Sequence, residues 1–105
     1  MNDAAPAAPV LLEARDGAVL TLTLNYTQRR NALSMPLRVV LTEALDRAEG
    51  DPSVRVIVLT GAGGHFCAGG DISGMNAADL GAGRERFRAT HRLVTQMVHC
   101  AKPII

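Results

Sequence analysis

From Ala18 to Leu24 the chain alternates, with Leu20, Leu22 and Leu24 on one side and Val19, Thr21 and Thr23 on the other. That period of two predicts a strand with one packed face and one partly open face. A shorter β-prone run, Val10 to Ala14, precedes it across Arg15-Asp16-Gly17, whose Asp-Gly pair signals a hairpin. After the polar link Asn25 to Asn31 the period changes: Leu37, Val40, Leu41, Ala44, Leu45 and Ala48 recur at helical spacing. Ser34 is placed to cap this helix, Pro36 is tolerated in its first turn, and Gly50-Asp51-Pro52 ends it. Val54 to Thr60 is a β-branched run that reads as a strand buried on both faces. Strand, helix and strand in this order predict a right-handed parallel crossover.

A glycine-dense loop follows from Gly61 to Gly74, and then a second helical stretch from about Asp79 to Cys100, with Phe87, His91, Val94, Met97 and Val98 along one side. Gly81 and Gly83 weaken its start. In Lys102-Pro103-Ile104-Ile105 the proline blocks further helix and β-branched residues follow, so another strand is expected to begin there. A domain rarely stops at the start of a core strand, and the expectation is a fragment whose sheet wants further strands. Residues 1–9, rich in alanine and proline, read as a disordered leader, and 10–105 as the structured part.

Composition narrows the class. Hydrophobic residues make up 48% of the 105 positions, enough for a core, while aromatics are only 3%. Layered helix and sheet fit that balance better than an aromatic-rich sandwich. A formal net charge of +1 supplies no field for steering nucleic acid, which is not an expected partner. The opening lacks the basic start and apolar stretch of a signal peptide and no apolar run approaches a membrane span, so a cytoplasmic protein without a membrane partner is expected. Cys67 and Cys100 stand far apart and read as free thiols.

Chemistry concentrates in Thr60 to Ile72, directly after the buried strand, where ligands of open α/β sheets gather. Glycines at 61, 63, 64, 69 and 70 let the backbone approach a ligand and turn N–H groups outward, as an oxyanion or phosphate site requires; a surface turn is the alternative reading. Phe66 stands where a dinucleotide loop needs its third glycine, and there is no Gly-Lys-Ser/Thr, so nucleotide-loop signatures fail. His65 and Cys67 lack further spaced ligands, and no metal site is expected. Cys67 reads as a small buried residue rather than a nucleophile. His91, His99 and Cys100 are assigned no chemistry. Asp71, in Gly-Asp-Ile-Ser, reads as a backbone cap ahead of an acid or base. Arg84, Arg86, Arg88 and Arg92, with Lys102, form a basic stretch that could meet phosphates, although interspersed acids favour a solvated face.

Gly61 through Ile72 resembles the Gly-x-Gly-x-x-Phe-x-Ala-Gly-x-Asp-Ile/Leu signature of the crotonase (enoyl-CoA hydratase/isomerase) superfamily, with Phe66 as its anchor and Ala68-Gly69-Gly70-Asp71 as its core. Leu24-Asn25 through Asn31-Ala32-Leu33 is similar to a second family signature, departing from it at Tyr26-Thr27 where most members carry Arg-Pro; Lys102 to Ile105 is similar to a third segment. The resemblance runs from Val10 to the end of the chain. It implies an α/β, crotonase-like fold of repeated β-β-α units, of which only the N-terminal portion is present.

By that resemblance the partner is an acyl-CoA thioester, with coenzyme A as part of the substrate and no separate cofactor. Two backbone N–H groups would stabilise the enolate-like oxyanion, and Gly70 would supply the first. Gly70→Ala would keep the N–H but is expected to strain the backbone angle. Ala68, Gly70, Asp71, Ile72 and Ser73 would hold the CoA moiety through main-chain groups, with Arg29 lining the same channel. The glutamates that hydratases and isomerases use lie downstream of the second oxyanion glycine and have no counterpart in these residues. The implied activity is addition of water to a 2-enoyl-CoA or movement of its double bond, in a homotrimer or paired trimer. The alternative from another class is a non-catalytic CoA-binding or complementing fragment, and a phosphate or nucleotide module unrelated to crotonases is a distant third.

Overall fold

The computed structural model describes residues 8–70 and 80–105. Strand β1 (Leu11–Asp16) and strand β2 (Val19–Leu24) form an antiparallel hairpin in which Leu11 faces Leu24 and Asp16 faces Val19. β1 therefore extends beyond Ala14, and the corner is Gly17-Ala18 rather than Asp16-Gly17. Gly17, at φ +60°, takes the first central position, where two-residue hairpins of the glycine-first type need a positive angle.

A one-turn 3-10 helix (Thr27–Arg29) leads into helix α1 (Met35–Glu49). The Ser34 hydroxyl accepts from Leu37 N–H at 3.2 Å, and Pro36 sits in the first turn without loss because amides there have no intrahelical partner. Strand β3 (Val56–Gly61) then lies parallel to β2, with Leu20 beside Ile57 and Leu22 beside Leu59. The sheet order is β1-β2-β3, and β2, α1 and β3 make the expected parallel crossover. Ile104 forms a parallel bridge to Ile57, so Lys102 to Ile105 does open a further lane beside β3, with Leu59 N–H donating to Ile105 O at 2.8 Å.

Leu20, Leu22, Leu24 and Ile57 meet Leu37, Leu41, Ala44, Leu45 and Ala48 of α1 in one apolar cluster. The alternation of β2 is thus the device that seats α1 on the sheet. β3 departs from the expectation of burial on both faces: Ile57 is fully buried, whereas Val56, Val58 and Leu59 are half-buried and Thr60 is exposed. Its apolar outward residues share the face that β2 offers with Val19, Thr21 and Thr23.

Helix α2 (Leu80–Val98) corrects the sequence reading more sharply. Phe87, Val94 and Val98 are exposed, at 80%, 48% and 72%, and the residue that enters the core is Leu93, at 1%. Met97 and Cys100 pack behind it, and Gln96 reaches α1, donating to Thr42 O at 3.0 Å and Asp46 Oδ1 at 2.8 Å. Two stripes of similar period exist on this helix, and the one anchored by a leucine and a reaching glutamine docks on α1. Among the described residues no helix is long and apolar enough to cross a membrane.

Lys102 also departs from its expected place among the arginines. Its ammonium donates to Ala48 O and Asp51 O at 2.5 Å, closing the carbonyl end of α1 where the helix dipole favours a cation. Beside it, hydrogen bonds from the Ser53 hydroxyl and N–H hold the Asp51 carboxyl below its ordinary range, outweighing a desolvation that acts the other way, and Arg15 and Lys102 add smaller contributions in the same sense as the hydrogen bonds. Lys102→Met should destabilise the fold by about 1–3 kcal/mol, the cost of leaving two carbonyls without a charged donor. Urea unfolding measures it, and an unchanged midpoint would show that water replaces the ammonium freely.

Candidate functional site

The site begins with one amide side chain. Asn31 is fully buried at φ +61°, next to Arg30 at φ +52°, and two successive non-glycine residues in the left-handed region are costly. The Asn31 side chain offsets that cost. Its Oδ1 accepts from Tyr26 N–H at 2.7 Å, and its Nδ2 donates to Ala62 O at 2.9 Å and His65 O at 2.8 Å. The turn after β2 and the glycine loop after β3 are thereby fastened to each other. Tyr26, at the departure from the Arg-Pro pattern, contributes main-chain groups, since its carbonyl accepts from Arg29 and Asn31 N–H.

The loop needs its glycines at particular places. A Cβ on Gly61 would stand 2.5 Å from Phe66 O, and one on Gly63, at φ +78°, would stand 2.8 Å from Thr27 Cγ2. The chain folds back on itself at the first position and presses on the 3-10 turn at the second. Phe66, expected as an anchor, is 56% exposed; its backbone rather than its ring packs against Gly61.

Beyond Phe66 the loop runs alongside the turn. Ala68 N–H donates to Arg30 O at 3.1 Å, Leu33 N–H donates to Gly69 O at 2.7 Å, and Leu33 and Gly70 form a parallel bridge. The left-handed angle falls on Gly69, at φ +103°, and not on Gly70. This overturns the expected strain of Gly70→Ala: a Cβ there would meet Arg38 Nη2 at 3.6 Å, an ordinary contact. Among the described residues Gly70 N–H donates no hydrogen bond. It borders a cavity of about 440 Å³ lined by Leu33, Arg38, Gly69 and Gly70 on one side and by Gly83, Arg86, Phe87 and Thr90 of α2 on the other.

The remaining sequence candidates divide. Ala68 is exposed with its N–H turned inward, so its carbonyl is the main-chain group it can offer a ligand. Arg29 lies exposed on the 3-10 turn next to the loop and does not line the cavity. Asp71, Ile72 and Ser73 lie outside the described residues. His65 contributes its carbonyl to Asn31, while Cys67 is half-buried against the core. Arg86 faces the cavity; Arg88 pairs with Glu85 at 3.1 Å on an exposed surface, where ion pairs contribute little. Sequence reasoning missed Arg38, which is 6% exposed on α1 and lines the cavity. Its signal was a cation beside Leu37 and Leu41 on the apolar stripe of α1.

Gly70, on a glycine loop leaving a parallel strand, thus stands at the border of a cavity with its N–H unbonded among the described residues. The sequence matches the enoyl-CoA hydratase/isomerase family over residues 14–105, and the chain belongs to that family. It is 38% identical over 101 residues to 1,2-epoxyphenylacetyl-CoA isomerase of Escherichia coli, covering 90% of this chain and 38% of that protein. It is 45% identical over 64 residues to enoyl-CoA hydratase EchA19 of Mycobacterium tuberculosis, covering 61% of this chain and 24% of that one. The crystal structure of an enoyl-CoA hydratase from Mycobacterium smegmatis superposes with a TM-score of 0.84 at 36% identity, over 92% of this chain and 38% of that chain. The chain therefore spans well under half the length of these relatives, and its fold is the corresponding part of theirs.

The clamp is testable. Asn31→Ala strands Tyr26 N–H and two carbonyls and leaves alanine at a left-handed angle, so a loss of about 2–4 kcal/mol in urea unfolding is expected. Asn31→Asp should also destabilise near neutrality, because a carboxylate would face the carbonyls of Ala62 and His65. Burial and those carbonyls would raise the pKa of the introduced carboxyl in the folded state, so stability should recover as pH falls through that raised value. Wild-type stability in both variants would contradict the clamp.

Proposed function

We propose that this chain carries the first oxyanion donor and part of the acyl-CoA subsite of an enoyl-CoA hydratase, acting on a 2-enoyl-CoA thioester. The observation that supports it is the Gly70 N–H, without an acceptor among the described residues and bordering the 440 Å³ cavity. In hydration water gives up a proton to a base as its oxygen bonds to the β-carbon, the double-bond electrons move onto the thioester oxygen, and delivery of a proton to the α-carbon draws them back. Negative charge peaks on the thioester oxygen between those events. A donor fixed beforehand at that oxygen stabilises the charge without reorganisation, and loss of one such donor raises the barrier by about 2.7–4 kcal/mol.

Similar proteins include one named as an isomerase and one named as a hydratase, and in this reading either reaction would draw on the same oxyanion donor. Main-chain recognition of CoA by Ala68, Gly70, Asp71, Ile72 and Ser73, the supporting role of Arg29, and assembly as a trimer or hexamer belong to the same proposal.

Titration of the ¹⁵N-labelled chain with crotonyl-CoA and with CoA tests it. The Gly70 amide should move downfield with the thioester and much less with free CoA, at ligand concentrations up to about a millimolar. No movement at Gly70 would contradict the reading. Hydration of crotonyl-CoA, followed by loss of enoyl absorbance, should be undetectable for the 105 residues, because the resemblance assigns the proton-transfer glutamates to no position among them. Binding without turnover agrees with a substrate-holding portion; substantial turnover would show that other residues perform the proton transfers.

A further inference from the structure

Helix α2 meets the rest of the protein along one stripe, and that stripe changes character halfway. In its second half Leu93 and Met97 pack against the core and Gln96 reaches α1. In its first half Gly83, Arg86, Phe87 and Thr90, spaced so that they share one side of the helix, line the cavity across from Gly70. Arg86 stands about two turns before Leu93 and so on the same side. An apolar residue there would extend the core; glycine and arginine leave the space open, and a Cβ on Gly83 would meet nothing within 4 Å. The cavity, at about 440 Å³, lies within the range of about 300–1,000 Å³ usual for small-molecule sites.

The cation that α2 places there stands apart from the paired arginines. Arg15, Arg47 and Arg88 each meet a carboxylate, and Arg88 does so with Glu85 on the exposed surface of the same helix. Half-buried Arg86 makes neither an ion pair nor a hydrogen bond among the described residues, and no carboxylate among them lines the cavity. A guanidinium drawn partly out of water gains most from a planar anion that it can hold with two parallel N–H bonds, and a carboxylate has that shape.

Size decides where such an anion comes from. In an extended CoA thioester more than a dozen bonds separate the thioester sulfur from the nearest phosphate, too many for both to sit in a cavity roughly 9 Å across if round. The far end of a short acyl chain spans that distance. We propose that Arg86 is a specificity-determining residue that holds a carboxylate at the end of the acyl chain, so that this site prefers CoA thioesters of short dicarboxylic acids. The proposal rests on the reading of Gly70 as the oxyanion donor and names the substrate class of the same cavity. The thioester oxygen meets Gly70 N–H, and the terminal carboxylate meets Arg86.

Two saturated thioesters that differ only at the chain end provide the test: glutaryl-CoA ends in a carboxylate, pentanoyl-CoA in a methyl group. Calorimetric titration of the 105-residue chain should show glutaryl-CoA binding at least about tenfold more tightly. R86Q should reduce that preference to within about twofold and leave pentanoyl-CoA and free CoA within about twofold of wild type, whereas R88Q should keep it. Circular dichroism confirms folding; should R86Q unfold, the ¹⁵N spectrum of wild type decides, since glutaryl-CoA and not pentanoyl-CoA should move the Arg86 side-chain Nε–H signal. Equal affinities in wild type, an unmoved Arg86 signal, or a full preference in folded R86Q would overturn the proposal. A fall of all three ligands together in R86Q would also overturn it, by placing Arg86 at a phosphate. The Gly70 amide reports separately: if neither thioester moves it, the Gly70 reading fails and this proposal with it, and if pentanoyl-CoA moves it while glutaryl-CoA gains nothing, the proposal alone falls.

Discussion

Asn31 makes three hydrogen bonds from a fully buried amide, one back to Tyr26 and two forward to Ala62 and His65, 31 and 34 residues further along the chain. No apolar side chain could substitute, because the three groups it satisfies are main-chain donors and acceptors with little other access to partners. Asparagine supplies both an acceptor and two donors on a short stem, and it tolerates the left-handed angle at which the turn delivers it. The local strain at Arg30 and Asn31 persists because the bonds it makes possible outweigh it.

From that clamp the rest of the site follows in order. The parallel pairing of β2 with β3 brings Leu24 and Gly61 together, so that the segments leaving them start side by side. Asn31 keeps them together, the Ala68-to-Arg30 and Leu33-to-Gly69 bonds extend the pairing, and Gly69 turns the chain. The inward hydrogen bonds are taken by Ala68 N–H and Gly69 O, and Gly70, whose N–H has no acceptor among the described residues, borders the cavity. The apolar cluster beneath seats α1, and α1 brings Arg38 to the same wall. Stability and chemistry thus share a border at Leu33, one residue from the helix cap.

Much of this was legible from periodicity and punctuation. The alternation in β2, the Ser34 cap with its early proline, and the proline at 103 each encode a local rule that the tertiary structure leaves intact. The failures are tertiary. Phe87, Val94 and Val98 form as good a helical stripe as Leu93 and Met97, and periodicity cannot say which stripe a helix will dock. Lys102 looked like one more cation near a basic helix, but chain path rather than sequence distance put it at the end of α1. Within the site, the glycine pattern identified the loop, yet which glycine carries the positive angle depended on backbone pairing with Leu33. Arg38 escaped notice because an arginine set into an apolar stripe has meaning only once the neighbouring wall is known.

Amide hydrogen exchange, resolved by residue on the unliganded chain, examines the central claim most directly. The account predicts that Tyr26, Leu33 and Ala68 N–H exchange slowly, held by Asn31, Gly69 and Arg30, while Gly70 N–H exchanges far faster within the same rigid loop. Strong protection at Gly70, or exchange at unfolded-chain rates for all four, would contradict it: the first would mean that the donor is already committed inside the protein, the second that nothing holds it in place.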